Sequence, residues 1–481
     1  MPGVSEIGAD EGRRRALVAA LAAGLAPVVP GVLSGCRGRP EGEIEFWTLA
    51  LRPWFDDYIA ERLDAFGAER AGKASGTRVT WVDVPFEALQ RKLMASASAG
   101  RPPDVVNMSD LNFARFAGLG ALRPLDDVIP GDAGARYLAG ALGLCRLAGP
   151  GGRRRLMGVP WYVTPQVTIV NRRLVEAGGL RVADVPLRWR GLLGLAGEFR
   201  RRTGGFLLSQ SLGDESQILI MMMGDGVSPL RVEHGRLRGA LSRGPALEYA
   251  ALWVGAYREG ALPRAAGTTG HKHLIEMYQG GRLGLICTGP SFLSRIEGAA
   301  PGVYAESEVA EGVTGSLGRG HLPVMILGVG AGTRDAEAAA ALAWFMTSPE
   351  SQTEFCRRAA IMPSSLASLS DPYFAGLDGG GGVGLAERGR RIAASGLTRG
   401  TAFTVSHESW PELRRLFEAG MKRVLLNGAE LAAEMKRVDA EWDEVLSAGP
   451  AVGLEVMPMI EGVRWGEGQG EGGGGERGGS A

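Results

Sequence analysis

The chain has 481 residues, enough for two domains or lobes with sizeable cores. Its 53 Lys and Arg are matched by 53 Asp and Glu, which removes the electrostatic case for nucleic acid as the main partner. Glycine is abundant at 75 residues, and aromatics are few at 7% yet include ten tryptophans. That skew suits a protein that presents flat apolar faces to something.

The N-terminus carries a basic cluster, Arg13-Arg14-Arg15, then a small and apolar run from Ala16 to Leu33. A basic segment, an apolar stretch and small residues before a cut site make a secretory signal. Leu33-Ser34-Gly35-Cys36 looks like a bacterial lipobox, in which Cys36 is lipidated and becomes the mature N-terminus. Pro27, Pro30 and the alanines argue against a permanent span. The arginines leave Sec and twin-arginine export both open. Cys145, Cys287 and Cys356 are widely spaced, with no CxxC, and permit at most one disulfide; they are expected as small core residues.

Residues 37–42 read as a tether. Glu43–Thr48 then alternates polar and apolar residues as a half-buried first strand does, and Phe55, Ile59, Leu63 and Phe66 recur at helical spacing. A second strand is expected over 77–84, a helix over 86–99 and a third strand over 104–108. Strand, helix, strand, helix, strand predicts an open α/β sheet. Further on, strands are expected at 167–170, 283–287 and 322–329. Helices are expected at 187–202, 245–259, 271–279 and 335–345, with a helical finish over 409–447. Residues 451–481, rich in Gly and Glu, read as a disordered tail.

Several motifs tempt a catalytic or cofactor reading and do not sustain it. GVGAGT at 328–333 follows a strand, but Thr333 stands where a dinucleotide-binding turn needs its third glycine, so a plain glycine-rich turn is expected. His271 and His273 at i, i+2 do not share a helical face, and no third metal ligand is apparent. GPSFL at 289–293 lacks the last glycine of a nucleophile elbow. Asp56-Asp57 and Asp126-Asp127 read as a helix start and a turn. No catalytic residue, metal or cofactor is therefore expected.

GVPWYVTPQ at 158–166 sets a tryptophan beside a tyrosine on proline-stiffened backbone, where one core cannot easily bury both rings. Trp47 ends the first strand, and Trp410 precedes Pro411 at a helix start. Open α/β sheets bind ligands at the carboxyl ends of their strands, where Trp47 and Asp110 are expected. Aromatic faces stack on the apolar face of a pyranose, while carboxylates and amides bond its hydroxyls.

Five segments together resemble the extracellular solute-binding proteins of sugar-type ABC importers. FWTLALRPWFDDYI is similar to the family's first strand and helix, and VTWVDVPFEALQRKLMASASAGRPPDVV to its second strand, helix and third strand. MGVPWYVTPQVTIVNRRLVEAGGL resembles the segment that crosses between lobes. YQGGRLGLICTGPSFL is similar to the family's "GKAAM … GPW", and AEAAAALAWFMTSPESQTEFCRRAAIMPSS to its helix, "TSPE-Q" and "LP" ending. Val170 and Arg172 stand where the family has the Tyr and Lys of "YNK". Ser291-Phe292 replaces the "GPW" tryptophan, which points to a smaller or less sugar-like solute.

The resemblance implies a two-lobed periplasmic-binding-protein fold, each lobe an open mixed sheet flanked by helices, with a multi-strand hinge. Lobe 1 would hold 43–164 plus 322–368, and lobe 2 would hold 165–320 plus 369–450. The implied solute contacts are Trp47, Thr48, Glu87, Asp110, Trp161, Tyr162, Gln166, Ser291, Phe292 and Trp410. Trp161 is the expected stacking ring, with Tyr162 offering its hydroxyl or packing underneath. A non-catalytic, monomeric receptor would be exported and lipid-anchored, facing the periplasm or cell exterior. It would pass a mono- or oligosaccharide to the permease of an ABC importer. The alternatives are a polyol phosphate, peptide or polyamine on the same fold, an exported carbohydrate-active enzyme, or a structural surface lipoprotein.

Overall fold

A computed structural model describes residues 42–448, apart from 72–76, 86–87, 100–101, 149–152, 215, 376–383, 406 and 408. The signal segment with Cys36, Glu87 and the tail from 451 lie outside the described residues, as does the tether up to residue 41. Two sheets organise the chain. The larger contains β1 (Glu43–Leu49), β2 (Arg78–Val84), β3 (Val105–Ser109), β4 (Gly158–Val163), β8 (Val324–Val329) and β9 (Met362–Pro363), in the order β9-β4-β8-β3-β1-β2. The smaller contains β5 (Val167–Asn171), β6 (Leu285–Thr288) and β7 (Ser307–Glu311), in the order β6-β5-β7.

β1 and β3 run parallel, whereas β8 lies antiparallel between β3 and β4. The larger sheet is therefore mixed. The three labelled strands of the smaller sheet are antiparallel. An extended segment at 206–208 adds a parallel neighbour to β6 through the Phe206–Leu283 bridge, which makes that layer mixed as well.

Pro160 sits inside β4, a strand with neighbours on both sides. Proline has no amide hydrogen to donate, so such a position is tolerated only where the ladder has a gap. Both conditions for a gap are met. β9 is only two residues long and pairs Val163 and Tyr162, leaving Pro160 at a free edge. The β4–β8 register also shifts between Met325 and Ile326, opposite Pro160.

Side-chain alternation assigns each face of the smaller sheet to a different packing layer. Val167 and Ile169 of β5 with Ile286 of β6 join the apolar cluster that fills the larger sheet and reaches Leu274, Leu293 and Ala393. Val170, Leu285 and Cys287 point the other way, into a second cluster built on Trp253, Phe417, Met421 and Trp442. The three remaining cysteines, Cys145, Cys287 and Cys356, are buried free thiols.

GVGAGT is a close-approach turn. A Cβ on Gly330 would lie 2.4 Å from the carbonyl oxygen of Pro103, a backbone atom held by the neighbouring strand end. Gly330→Ala is therefore expected to lower unfolding free energy by about 1–3 kcal/mol, as overpacking does. Urea melts of wild type and variant read this directly, and an unchanged midpoint would reject it. The helical finish is two helices, Trp410–Leu426 and Leu431–Ala448, broken at Gly428 with φ +73°.

Candidate functional site

Register lines up the residues of one sheet edge. Met325 of β8 stands between Tyr162 of β4 and Ser109 of β3, and Pro363 lies on the far side of Tyr162. Asp110 follows Ser109 and opens the helix Asp110–Gly118, whose Asn112 amide donates to Ser109 Oγ at 3.4 Å. The turn 50–54 continues the row beyond β1, with the Ala50 amide bonded to Val84 O. This edge is the carboxyl end of β1, β3 and β4, where open α/β sheets bind their ligands.

The chain leaves the same edge at residues 164–166 to enter the smaller sheet. Gln166 is half-buried there, and its carbonyl oxygen would lie 2.6 Å from a Cβ on Gly312. Val167 pairs with Thr288, so the loop Gly289-Pro290-Ser291 that follows β6 abuts the crossing. A Cβ on Gly289 would meet Thr164 Cγ2 at 2.9 Å. His271 Nε2 and Thr288 Oγ1 share a hydrogen bond of 3.0 Å, and the imidazole stands edge-on to Phe292 at 5.7 Å. Burial depresses the His271 pKa, keeping that ring neutral at pH 7. Ser291 and Phe292 are half-buried, and the Ser291 hydroxyl does not cap its helix.

A charged cluster closes the row. The helix Asp110–Gly118 packs beside Trp410–Leu426, which brings Arg414 near Asp110. Burial raises the Asp110 pKa, and the Arg414 guanidinium partly offsets it. Burial, then repulsion from Arg414, pushes His321 down to about 4. His321 also stacks on Phe403 at 6.3 Å. Burial raises Glu418, whose carboxylate accepts a hydrogen bond from Ser216 Oγ.

The expected contacts thus separate into two groups. Asp110, Tyr162, Gln166, Ser291 and Phe292 lie at the strand ends or at the crossing. Trp47 is buried within β1 and its indole N–H bonds Glu45. Thr48 is fully buried; it accepts from Trp81 Nε1 and donates to Asp83, each at 2.7 Å. Trp161 is fully buried and stacked on Phe355 at 4.7 Å with a 17° interplanar angle. Tyr162 next to it is half-buried, yet its ring meets the same Phe355 at 5.4 Å and Trp161 edge-on at 5.5 Å, because the register shift in β4 breaks the strict alternation of a strand. Trp410 is buried against Trp442 at 6.0 Å.

Sequence reading missed Arg414, His321 and the polar run Ser209-Gln210-Ser211, and considered His271 only as a metal ligand that it set aside. The run follows the extended segment beside β6 and is buried, with Ser211 Oγ bonded to Thr269 O at 2.9 Å. Its signal was the abrupt change from Phe206-Leu207-Leu208 to three polar residues. Arg414 lies one helical turn after Trp410, a spacing that could have flagged it. Among the described residues no group of His, Cys, Asp and Glu could hold a metal ion, and no helix is long and apolar enough to cross a membrane.

Known structures share this architecture. A candidate oligosaccharide periplasmic-binding protein from Synechococcus sp. MITs9220 is 28% identical, with a TM-score of 0.75 over 84% of this chain and 99% of that one. The GacH receptor of Streptomyces glaucescens GLA.O, solved unliganded and with acarbose, is 18% identical with a TM-score of 0.67, covering 85% and 99%. Maltose-bound T. maritima MalE3 is 17% identical with a TM-score of 0.65, covering 84% and 100%. No curated protein matches the sequence. The fold is the two-lobed α/β architecture of these binding proteins, and the family model for bacterial extracellular solute-binding proteins matches residues 53–353. With more than half of its length matched, the chain belongs to that family.

Proposed function

We propose that the protein is a lipid-anchored extracytoplasmic receptor that binds a carbohydrate between two lobes and delivers it to an ABC importer permease. The observation that carries this reading is the row Tyr162–Met325–Ser109–Asp110 at the carboxyl edge of the larger sheet, beside the Gly289–Phe292 loop of the smaller one. An aromatic ring, a carboxylate, hydroxyls and an amide at one edge match the mixed apolar and polar surface of a sugar. The family and its oligosaccharide- and maltose-binding relatives support the same reading.

In this reading lobe 1 holds 43–164 plus 322–368 and lobe 2 holds 165–320 plus 369–450. Tyr162, rather than Trp161, presents the ring from the crossing strand. Asp110, Gln166 and Ser291 bond hydroxyls, with Phe292 as an apolar wall. Trp47, Thr48, Trp161 and Trp410 act beneath the surface by fixing the strands and helix that carry the contacts. Glu87, outside the described residues, would add a second carboxylate. Cys36 would carry the lipid, the receptor would act as a monomer, and it would catalyse no reaction.

A ligand that binds only the folded state stabilises it by about 2.7 kcal/mol at a hundredfold excess over Kd. A thermal-shift panel of sugars, polyols, phosphates, peptides and polyamines is therefore expected to raise Tm by several degrees for carbohydrates alone. A shift confined to phosphates or polyamines would replace the sugar assignment on the same fold, and no shift with any sugar would reject it.

A further inference from the structure

Trp54 is the most exposed large apolar side chain among the described residues, at 83%. It stands in the turn between β1 and the helix Asp56–Arg70. Leaving an indole in water forgoes the burial that usually determines where tryptophan sits. The turn beneath it is nevertheless firmly built. The Asp83 carboxylate accepts from Thr48 Oγ1 at 2.7 Å and from the Leu51 and Arg52 amides at 3.1 Å. Trp81 Nε1 donates to the same Thr48 hydroxyl at 2.7 Å, and the Arg52 guanidinium lies 4.1 Å over the Trp81 ring. Ala50 takes a left-handed conformation at φ 51°, and the Phe55 amide returns to Leu51 O at 3.1 Å. A rigid turn that holds one ring out to solvent at the ligand edge of a sheet is preorganised to receive a partner.

The position of the turn also sets a length. It sits over the β1–β2 end of the row, whereas Tyr162 belongs to β4, three strands away in the order β4-β8-β3-β1. At about 4.8 Å between neighbouring strands that is roughly 14 Å, well beyond a single pyranose. Resting on the carbohydrate reading above, we propose that Trp54 is the outer stacking platform of the site, and that the solute is an oligosaccharide of three or more sugar units reaching from Tyr162 and Asp110 to Trp54. The platform supplies a stacking ring at the opposite end of the site from the position where Ser291-Phe292 replaces the family's tryptophan.

The test uses glucose, maltose, maltotriose and maltotetraose, with cellotriose and xylotriose as a second linkage set, titrated calorimetrically into wild type, Trp54→Ala and Trp54→Phe. Trp54→Ala is expected to weaken trisaccharide and longer ligands about tenfold, to leave any mono- or disaccharide affinity unchanged, and to be rescued largely by Trp54→Phe. Iodide quenching supplies an independent reading, because an exposed indole is quenched strongly. Trisaccharide should protect wild-type emission and give no comparable protection in Trp54→Phe. Equal affinities of wild type and Trp54→Ala for every chain length would overturn the platform while leaving the carbohydrate site standing. Failure of wild type to bind any of these saccharides would overturn both.

Discussion

Replacing Gln352 by Met is expected to lower the unfolding free energy by about 3–5 kcal/mol, although the side-chain volume barely changes. Gln352 is fully buried, and its carboxamide oxygen accepts the Ser364 amide at 2.7 Å and the Ser365 amide at 3.1 Å. Its NH2 group donates to Thr347 O and to Ser364 Oγ, each at 3.1 Å. Ser364 Oγ in turn donates to Pro160 O at 2.7 Å, so this one amide ties the helix Pro349–Ala359 to the segment after β9 and to β4. A thioether can replace none of these bonds and leaves two buried amide hydrogens without an acceptor. Each such orphan costs about 1–3 kcal/mol. Urea melts of Gln352→Met and Gln352→Ala separate the effects: the Met variant should suffer most of the loss, with Ala adding a cavity. A Met variant within about 1 kcal/mol of wild type would mean that volume, not bonding, fixes this residue.

The second large effect is electrostatic and depends on pH. Arg414 is buried at 7% exposure between groups whose pKa values it moves. Arg414→Leu should cost about 3–5 kcal/mol at pH 7.5, because Asp110 and Glu418 lose the cation that favours their charged forms. Both carboxylates already have raised folded pKa values, so their penalty is present at high pH and is relieved as they protonate. The deficit of the variant should therefore shrink on going to pH 5.

His321 acts in the same sense on the comparison. Its folded pKa lies near 4, below the unfolded value of about 6.5. Wild type thus has its full histidine contribution above about pH 6.5 and loses it as pH falls toward 4, where the unfolded chain binds the extra proton. Without Arg414 that depression weakens, and the variant loses less on acidification. Denaturant melts at the two pH values measure both effects together. A deficit that does not change with pH would assign Arg414 to packing alone.

The "TSPE-Q" segment illustrates how family resemblance and physics meet. Ser348 caps the helix by accepting from the Ser351 amide at 3.1 Å, Pro349 occupies the first turn where its missing amide costs nothing, and Gln352 bonds Ser364 and Ser365 just after β9. The motif was readable as letters, but its role as a three-way tie depended on β4 lying against it, far away in sequence. GVPWYVTPQ shows the same division. Alternation along a strand predicts Trp161 and Tyr162 on opposite sides, yet the register shift in β4 lets both rings meet Phe355, at 4.7 and 5.4 Å. The ring expected to stack on a solute already stacks on that phenylalanine.

By itself, then, the sequence determined the α/β alternation of the opening strands and helices and the turn character of GVGAGT, while the two-lobed class and the place where the chain crosses came from the family resemblance. The strands Gly158–Val163 and Ser307–Glu311 were not assigned. The alternation and the turn follow from periodicity and from proline and glycine chemistry, all local in the chain. Tertiary structure alone decided which tryptophans are core and which is exposed, and brought Asp110, His321 and Arg414 together from three distant segments. It also set the row Tyr162–Met325–Ser109, since register between strands depends on how whole faces pack. Burial and pairing are properties of neighbours in space, and for this site most of those neighbours are over a hundred residues apart.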